Sequence, residues 1–271
     1  MNRLVQHVLL LAMVAWQAEA SERYVTAGGT LTEIVFALGK GDEVVAVDQS
    51  SSYPPEVKQL PQVGYYRDLA AEGVLSTGLT HLLALEGSGR DAALRHIENA
   101  GIPVTLYPKP VTLEGLYQLI QSLADDLDAH RQADTLIASL QASLPGIPTK
   151  RNRAGLYLLS AGERGLIAAG NDTVPQLLFD LTGIDNVASH SGFKAMGVEA
   201  LAVSQPDFIV APSHVVEGGG GRKIFCKQPA LAMLEAAQQC RLLVMESLLS
   251  LGMTPRIADA IKTINQFIEA D

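Results

Sequence analysis

The run Gly64-Tyr65-Tyr66-Arg67 carries more latent chemistry than any other four residues of the chain. A phenolate oxygen is a hard anionic donor and can ligate ferric iron, haem iron included. A free phenol titrates near ~10, so ligation at neutral pH needs help from the metal or from a nearby cation. Arg67 is such a cation, and each unit by which it lowers a phenol's pKa corresponds to ~1.36 kcal/mol. The same run also suits a packed turn, and spacing alone does not choose between the two.

Cys226 and Cys240 stand about fourteen positions apart. In an oxidising compartment this permits one disulfide, worth ~2–4 kcal/mol; two free, buried thiols are the alternative. Neither lies in a CxxC or CxxCH motif, so covalent haem attachment and a zinc knuckle are excluded. His81, His96, His130, His190 and His214 show no HxxxH or Cys-His spacing for zinc. No Ser-His-Asp arrangement, paired-carboxylate motif or redox CxxC supports an enzyme. The net charge of −9 and pI of about 5.1 argue against a nucleic-acid partner. Gly218 to Gly221 lacks the spacing of a nucleotide-binding loop.

The elements that must position these residues read as alternating strands and helices. Residues 1–20 have the form of a signal peptide: Arg3, an apolar stretch from Val8 to Trp16, then Ala18-Glu19-Ala20 with cleavage expected after Ala20. The mature chain of about 250 residues has room for a large core. In residues 21–111, strands are expected at Tyr24–Thr26, Val44–Val47, His81–Leu85 and Val104–Leu106. Helices are expected at Thr30–Leu38, with Thr30 and Glu33 as a capping box, and at Leu69–Leu75 and Asp91–Ala100. Residues 112–145 form an inter-lobe segment: apolar residues at helical spacing from Leu113 to about Leu144 predict one long helix of ~45 Å at 1.5 Å per residue, with a kink suggested around Asp125–His130. Residues 146–271 resume the alternation: strands at Ala154–Leu159, Phe208–Ala211 and Leu242–Met245, and helices at Val174–Thr182, Leu231–Ala237 and Thr254–Ala270. The fold class is α/β: two Rossmann-like lobes with mainly parallel sheets, joined by one long helix, with a ligand cleft between them.

Over essentially its whole mature length the sequence resembles the periplasmic haemin-binding proteins of bacterial haem ABC importers. These belong to the class of substrate-binding proteins (class III) that also includes cobalamin and ferric-siderophore receptors. The resemblance rests on Ala27-Gly28-Gly29-Thr30-Leu31-Thr32-Glu33, on Asp48 through Ser52-Tyr53-Pro54-Pro55-Glu56, and on Gly64 through Ser76. It continues at Leu159-Ser160-Ala161-Gly162, Asn186-Val187-Ala188-Ser189-His190 and Leu251 through Asp259. The segments starting at Gly64 and Leu251 are the specific ones.

The resemblance implies a non-enzymatic receptor in the periplasm that carries haem b as its transported ligand. It implies Tyr65 as the axial iron ligand, Tyr66 as pocket wall and Arg67 as support for the tyrosinate. Some relatives bear a histidine after the Leu-Ser-Ala-Gly strand; this chain has Glu163-Arg164-Gly165. A five-coordinate tyrosinate or a weak sixth ligand such as water is therefore expected, and a stacked pair of haems is not. Arg164 is a candidate propionate partner, and Met196 and Met253 are candidate pocket walls whose other reading is core packing. Glu72 and Glu199 are implied as the surface carboxylates, one per lobe, that pair with arginines of an inner-membrane ABC permease, itself driven by an ATPase. The receptor is expected to be monomeric. A cobalamin or siderophore receptor is the alternative within the class.

Overall fold

The computed structural model describes residues 22–146, 149–162 and 165–270. The expected signal peptide and Arg164 lie outside the described residues. The first sheet is built from β1 (Tyr24–Ala27), β2 (Val44–Val47), β3 (His81–Leu85) and β4 (Val104–Tyr107), in the order β2-β1-β3-β4 with every pair parallel. α1 (Gly29–Ala37), α2 (Ala71–Leu75) and α3 (Asp91–Asn99) connect them. The short apolar runs are what a sheet covered on both faces requires: all four residues of β1 are buried.

α4 (Leu113–Asp126) and α5 (His130–Ser143) follow. The single helix expected over 113–144 is therefore divided, at the kink the sequence suggested. Asp128 takes a left-handed φ of 49°, which ends α4 and starts α5 in a new direction. The apolar periodicity survives the break: Leu116, Leu119, Ile120, Leu123, Ala133 and Leu140 all enter the core.

The second sheet contains β5 (Ala154–Gly162), β6 (Gly165–Ala169), β7 (Asp185–Asn186), β8 (Phe193–Ala195), β9 (Phe208–Pro212) and β10 (Leu242–Met245). Its order is β10-β9-β5-β6-β8, with β7 beside β5. β10, β9 and β5 run parallel, while β6 is antiparallel to both β5 and β8. The antiparallel edge has no counterpart in the sequence reading. α6 (Val174–Thr182) starts on a Thr173 cap that accepts from Gln176 N at 3.2 Å and ends at left-handed Gly183. α7 (Val198–Ser204), α8 (Ser213–Gly218), α9 (Arg222–Cys226), α10 (Glu235–Gln238), α11 (Ser247–Leu251) and α12 (Ile257–Ala270) complete the lobe. Cys226 and Cys240 are joined in a disulfide, with Cα atoms 5.4 Å apart. Among the described residues, no helix is long and apolar enough to cross a membrane.

One hydrophobic cluster runs from α1 through α4 and α5 to α6 and α12, and so spans both lobes. Each sheet covers its other face with a separate cluster. The lobes thus share a core on the helix-bearing side. Where the carboxyl ends of their strands meet, the lobes touch closely: a Cβ placed on Gly29 of the first lobe would lie 2.7 Å from Leu248 Cδ2 of the second.

Candidate functional site

The tyrosine motif is mounted beyond the carboxyl end of β2. Val47 N–H donates to Pro61 O and Val63 N–H to Val47 O, both at 3.0 Å, so residues 61–63 run alongside the strand. Gly64 then takes a φ of 91°, a conformation that penalises any side chain, and its carbonyl accepts from Gln49 N at 2.8 Å. Tyr65 follows in extended backbone, and a short 3₁₀ turn, Tyr66–Asp68, closes with Asp68 N donating to Tyr65 O at 2.9 Å.

Asp48 holds this arrangement together from below and is itself fully buried. Its Oδ1 accepts from Gly28 N (3.0 Å) and Ser51 Oγ (2.8 Å); its Oδ2 accepts from Ser50 N (2.8 Å) and Tyr66 N (3.3 Å). One carboxylate therefore ties the first strand-helix turn to the tyrosine pair. Gly89 N donates to Tyr66 O at 2.7 Å and fixes the motif to the loop after β3.

The two tyrosines differ in environment. Tyr66 is 9 % exposed and Tyr65 is 44 % exposed, with their rings edge-to-face at 4.9 Å. Arg67 Nε donates to Tyr66 Oη at 2.8 Å, and the guanidinium also interacts with the Tyr65 phenol, so it stands beside both rings of the pair. Lys109, just past β4, stands 5.0 Å from the centre of the Tyr66 ring. Partial burial and then the Tyr66 phenol push the Tyr65 phenol above its ordinary value, with Arg67 opposing them. Tyr65 by itself is a neutral phenol at neutral pH. An iron Lewis acid would have to displace its proton, and the partly exposed side chain leaves room for one to approach.

A second cluster bridges the lobes. Arg256, in the turn before α12, donates to both carboxylate oxygens of Glu33 on α1 and, at 3.1 Å, to Glu246 before α11. Ser52 Oγ donates to Glu246 at 3.0 Å, and the Arg256 guanidinium lies 4.0 Å from the Tyr53 ring centre. This corrects the expected capping box: α1 starts after Gly28 with no side-chain cap, because Glu33 is turned to Arg256 and Thr30 is buried. The closing helix likewise begins at Ile257 and not at Thr254, since Thr254 Oγ1 accepts from Arg256 N and turns the chain first.

Other expected site residues separate clearly. Met253 is 1 % exposed inside the shared core, which corrects its reading as a pocket wall. Met196 is half-buried against the C-terminal cluster. Glu72 and Glu199 are exposed in the first turns of α2 and α7, one on each lobe. His190 Nε2 lies 3.1 Å from Ala168 O, a structural role. His214 is on α8, with Nδ1 2.7 Å from Ser247 Oγ. Among the described residues, no group of three or more His, Cys, Asp or Glu could hold a metal ion. Asp48 and Lys109 were missed. Asp48 sits in a motif-bearing stretch and was readable there, whereas nothing in the sequence near Lys109 points to Tyr66.

Two α/β lobes sharing a helical core, with specific contacts where their strand ends meet, define a bilobal solute-binding protein. The chain belongs to the periplasmic binding protein family, whose model matches residues 25–248. It is a binding protein and not an enzyme. Its structure is similar to that of the periplasmic heme-binding protein RhuT from Roseiflexus sp. RS-1 in apo form, at 33 % identity and a TM-score of 0.85, covering 93 % of this chain and 100 % of that one. It is also similar to a vitamin B12-binding protein of Vibrio campbellii, 24 % identical over 74 % of each chain. An ABC transporter substrate-binding lipoprotein of Bacillus subtilis is 25 % identical over 89 % of this chain and 77 % of its own.

Proposed function

We propose that this chain captures haem b between its lobes, with the Tyr65 phenolate as axial ligand to ferric iron, and delivers it to an ABC permease. The observation that carries this reading is the Tyr65 side chain itself, partly open to solvent on a backbone mount fixed by Gly64 and by the buried Asp48. Phenolate suits ferric porphyrin as a hard donor. Arg67 and Lys109 place positive charge beside it in an acidic protein, as a dianionic ligand needs. The likeness to a haem-binding structure at 33 % identity supports the same ligand.

Arg164 from the second lobe would pair with a propionate, and half-buried Met196 would line the outer wall. Glu72 and Glu199 would orient the receptor on permease arginines, an arrangement that favours encounter and register more than raw affinity. The receptor would work as a monomer in the periplasm, exported by the leader at residues 1–20.

Cobalamin is the second reading, favoured by the vitamin B12-binding relatives. Haemin and cyanocobalamin titrations of wild type and Tyr65→Ala separate the two. The haem reading requires a tyrosinate-to-iron charge-transfer band with wild type. It also requires loss of that band in Tyr65→Ala, with affinity lowered at least ~10-fold, or ~1.4 kcal/mol. Saturable cobalamin binding without haemin binding, or a band that survives in Tyr65→Ala, would overturn it.

A further inference from the structure

β9 and β10 are parallel neighbours whose last residues, Pro212 and Met245, are in register. The segments that leave them start from one level, and there Ser213-His214 meets Glu246-Ser247. His214 Nδ1 lies 2.7 Å from Ser247 Oγ, His214 N–H donates to the same oxygen at 3.2 Å, and Ser213 Oγ is 3.1 Å from it. This end of the second sheet meets the first lobe, because Glu246 accepts from Ser52 Oγ at 3.0 Å. Ser52 directly follows the Asp48–Ser51 turn, whose aspartate holds Tyr66 N–H. Tyr65 and His214 thus stand beyond the carboxyl ends of their own sheets, on the two sides of one seam, and both are exposed. The other described histidines lie elsewhere. His81 opens β3 at the amino end of its sheet, His96 and His130 are on α3 and α5, and His190 donates to Ala168 O.

We infer that His214 is the second axial ligand of the haem iron, binding through Nε2 from the C-terminal lobe on the face opposite Tyr65. The inference rests on the haem reading above and adds the residue that fills the sixth position, for which Glu163-Arg164-Gly165 offers no histidine. Ser247 sets the chemistry. One lone pair of its oxygen takes the His214 backbone N–H. The imidazole tautomer with hydrogen on Nδ1 donates to the other, sends the Ser247 hydroxyl hydrogen to Ser213, and leaves the bare ring lone pair at Nε2. Metal-bound imidazoles are oriented by a bond of this kind from the opposite ring nitrogen. A neutral imidazole is an established haem ligand and adds no charge to an iron already balanced by porphyrin and phenolate.

The test loads wild type, His214→Ala and Ser247→Ala with haemin. Resonance Raman marker bands report coordination number and spin state, alongside the tyrosinate-to-iron charge-transfer band. Wild type should be six-coordinate. His214→Ala should turn five-coordinate and keep the tyrosinate band, with affinity lowered ~10-fold, and free imidazole should restore the sixth ligand. Ser247→Ala keeps the histidine but frees its ring, so the six-coordinate fraction should fall. Unchanged thermal unfolding of haem-free His214→Ala would separate lost ligation from lost folding. A five-coordinate wild type overturns the assignment, as do marker bands that His214→Ala leaves unaltered, whether or not binding weakens. A wild type without the tyrosinate band overturns the haem reading itself.

Discussion

At the scale of single residues, Asp48 decides the geometry of the tyrosine motif although it touches no phenol. A fully buried carboxylate is costly unless its lone pairs are filled, and here four donors from three segments fill them with no cation in the set. Asp48→Asn puts an amide NH₂ against two of those donors. Losing hydrogen bonds to a charged group costs ~1.5–3 kcal/mol each, so a drop of about 3 kcal/mol in unfolding free energy is expected by urea titration. Weaker haemin binding should accompany it even where the variant stays folded. An Asp48→Asn protein as stable as wild type would show that the backbone holds the tyrosines unaided. Tyr65 was readable from sequence because a glycine before a tyrosine pair is a local pattern. The bond from Arg67 to Tyr66 was not, since an arginine next to two phenols can reach either and the sequence does not rank them.

Among elements, the divided helix shows where periodicity stops being informative. Apolar spacing continues through Leu123, Leu127 and Ala133 because both helices pack on the same core, and the sequence has no Gly or Pro to mark the break. The break lies in one backbone torsion, the φ of 49° at Asp128. This gives a prediction with a sign. In a continuous helix Asp128→Gly would cost a few tenths of a kcal/mol or more. At a left-handed position glycine relieves the Cβ penalty, so stability should rise by roughly 0.5–1 kcal/mol, measured by thermal or urea unfolding. A loss would mean that the two helices fuse in solution. The longer parallel strands were legible as short buried runs, while β6, β8 and the two-residue β7 were not. Their pairing depends on neighbours far along the chain, and Phe193–Ala195 is exposed, with no buried face to write a pattern.

For the molecule as a whole, the lobes are tied twice, by a continuous apolar core and by the Glu33–Arg256–Glu246–Ser52 network. Large hinge closure around a ligand works against both ties. The network also sets a pH response. Burial alone would raise the Glu246 carboxyl, but Leu248 N, Leu249 N, Ser52 and Arg256 together hold it below the ordinary carboxylate range. Its contribution to stability is thus complete above the unfolded-state value near ~4.3 and is lost as pH falls through the lowered folded-state value. Glu246→Gln should be less stable than wild type at neutral pH and should lose less on acidification. Parallel stability-against-pH curves for the two proteins would show that this carboxylate does not couple the lobes to pH.

The bridge between Cys226 and Cys240 has a practical consequence for anyone preparing this protein. A batch made in a reducing cytoplasm would carry two neighbouring sulfhydryls on the C-terminal lobe, and thiolate is itself a strong haem donor. Such material would be able to hold porphyrin by sulfur, on the other lobe from Tyr65, and give an absorption spectrum that reports the wrong atom. Material routed through an oxidising compartment, or checked by thiol counting before any porphyrin is added, avoids that artefact.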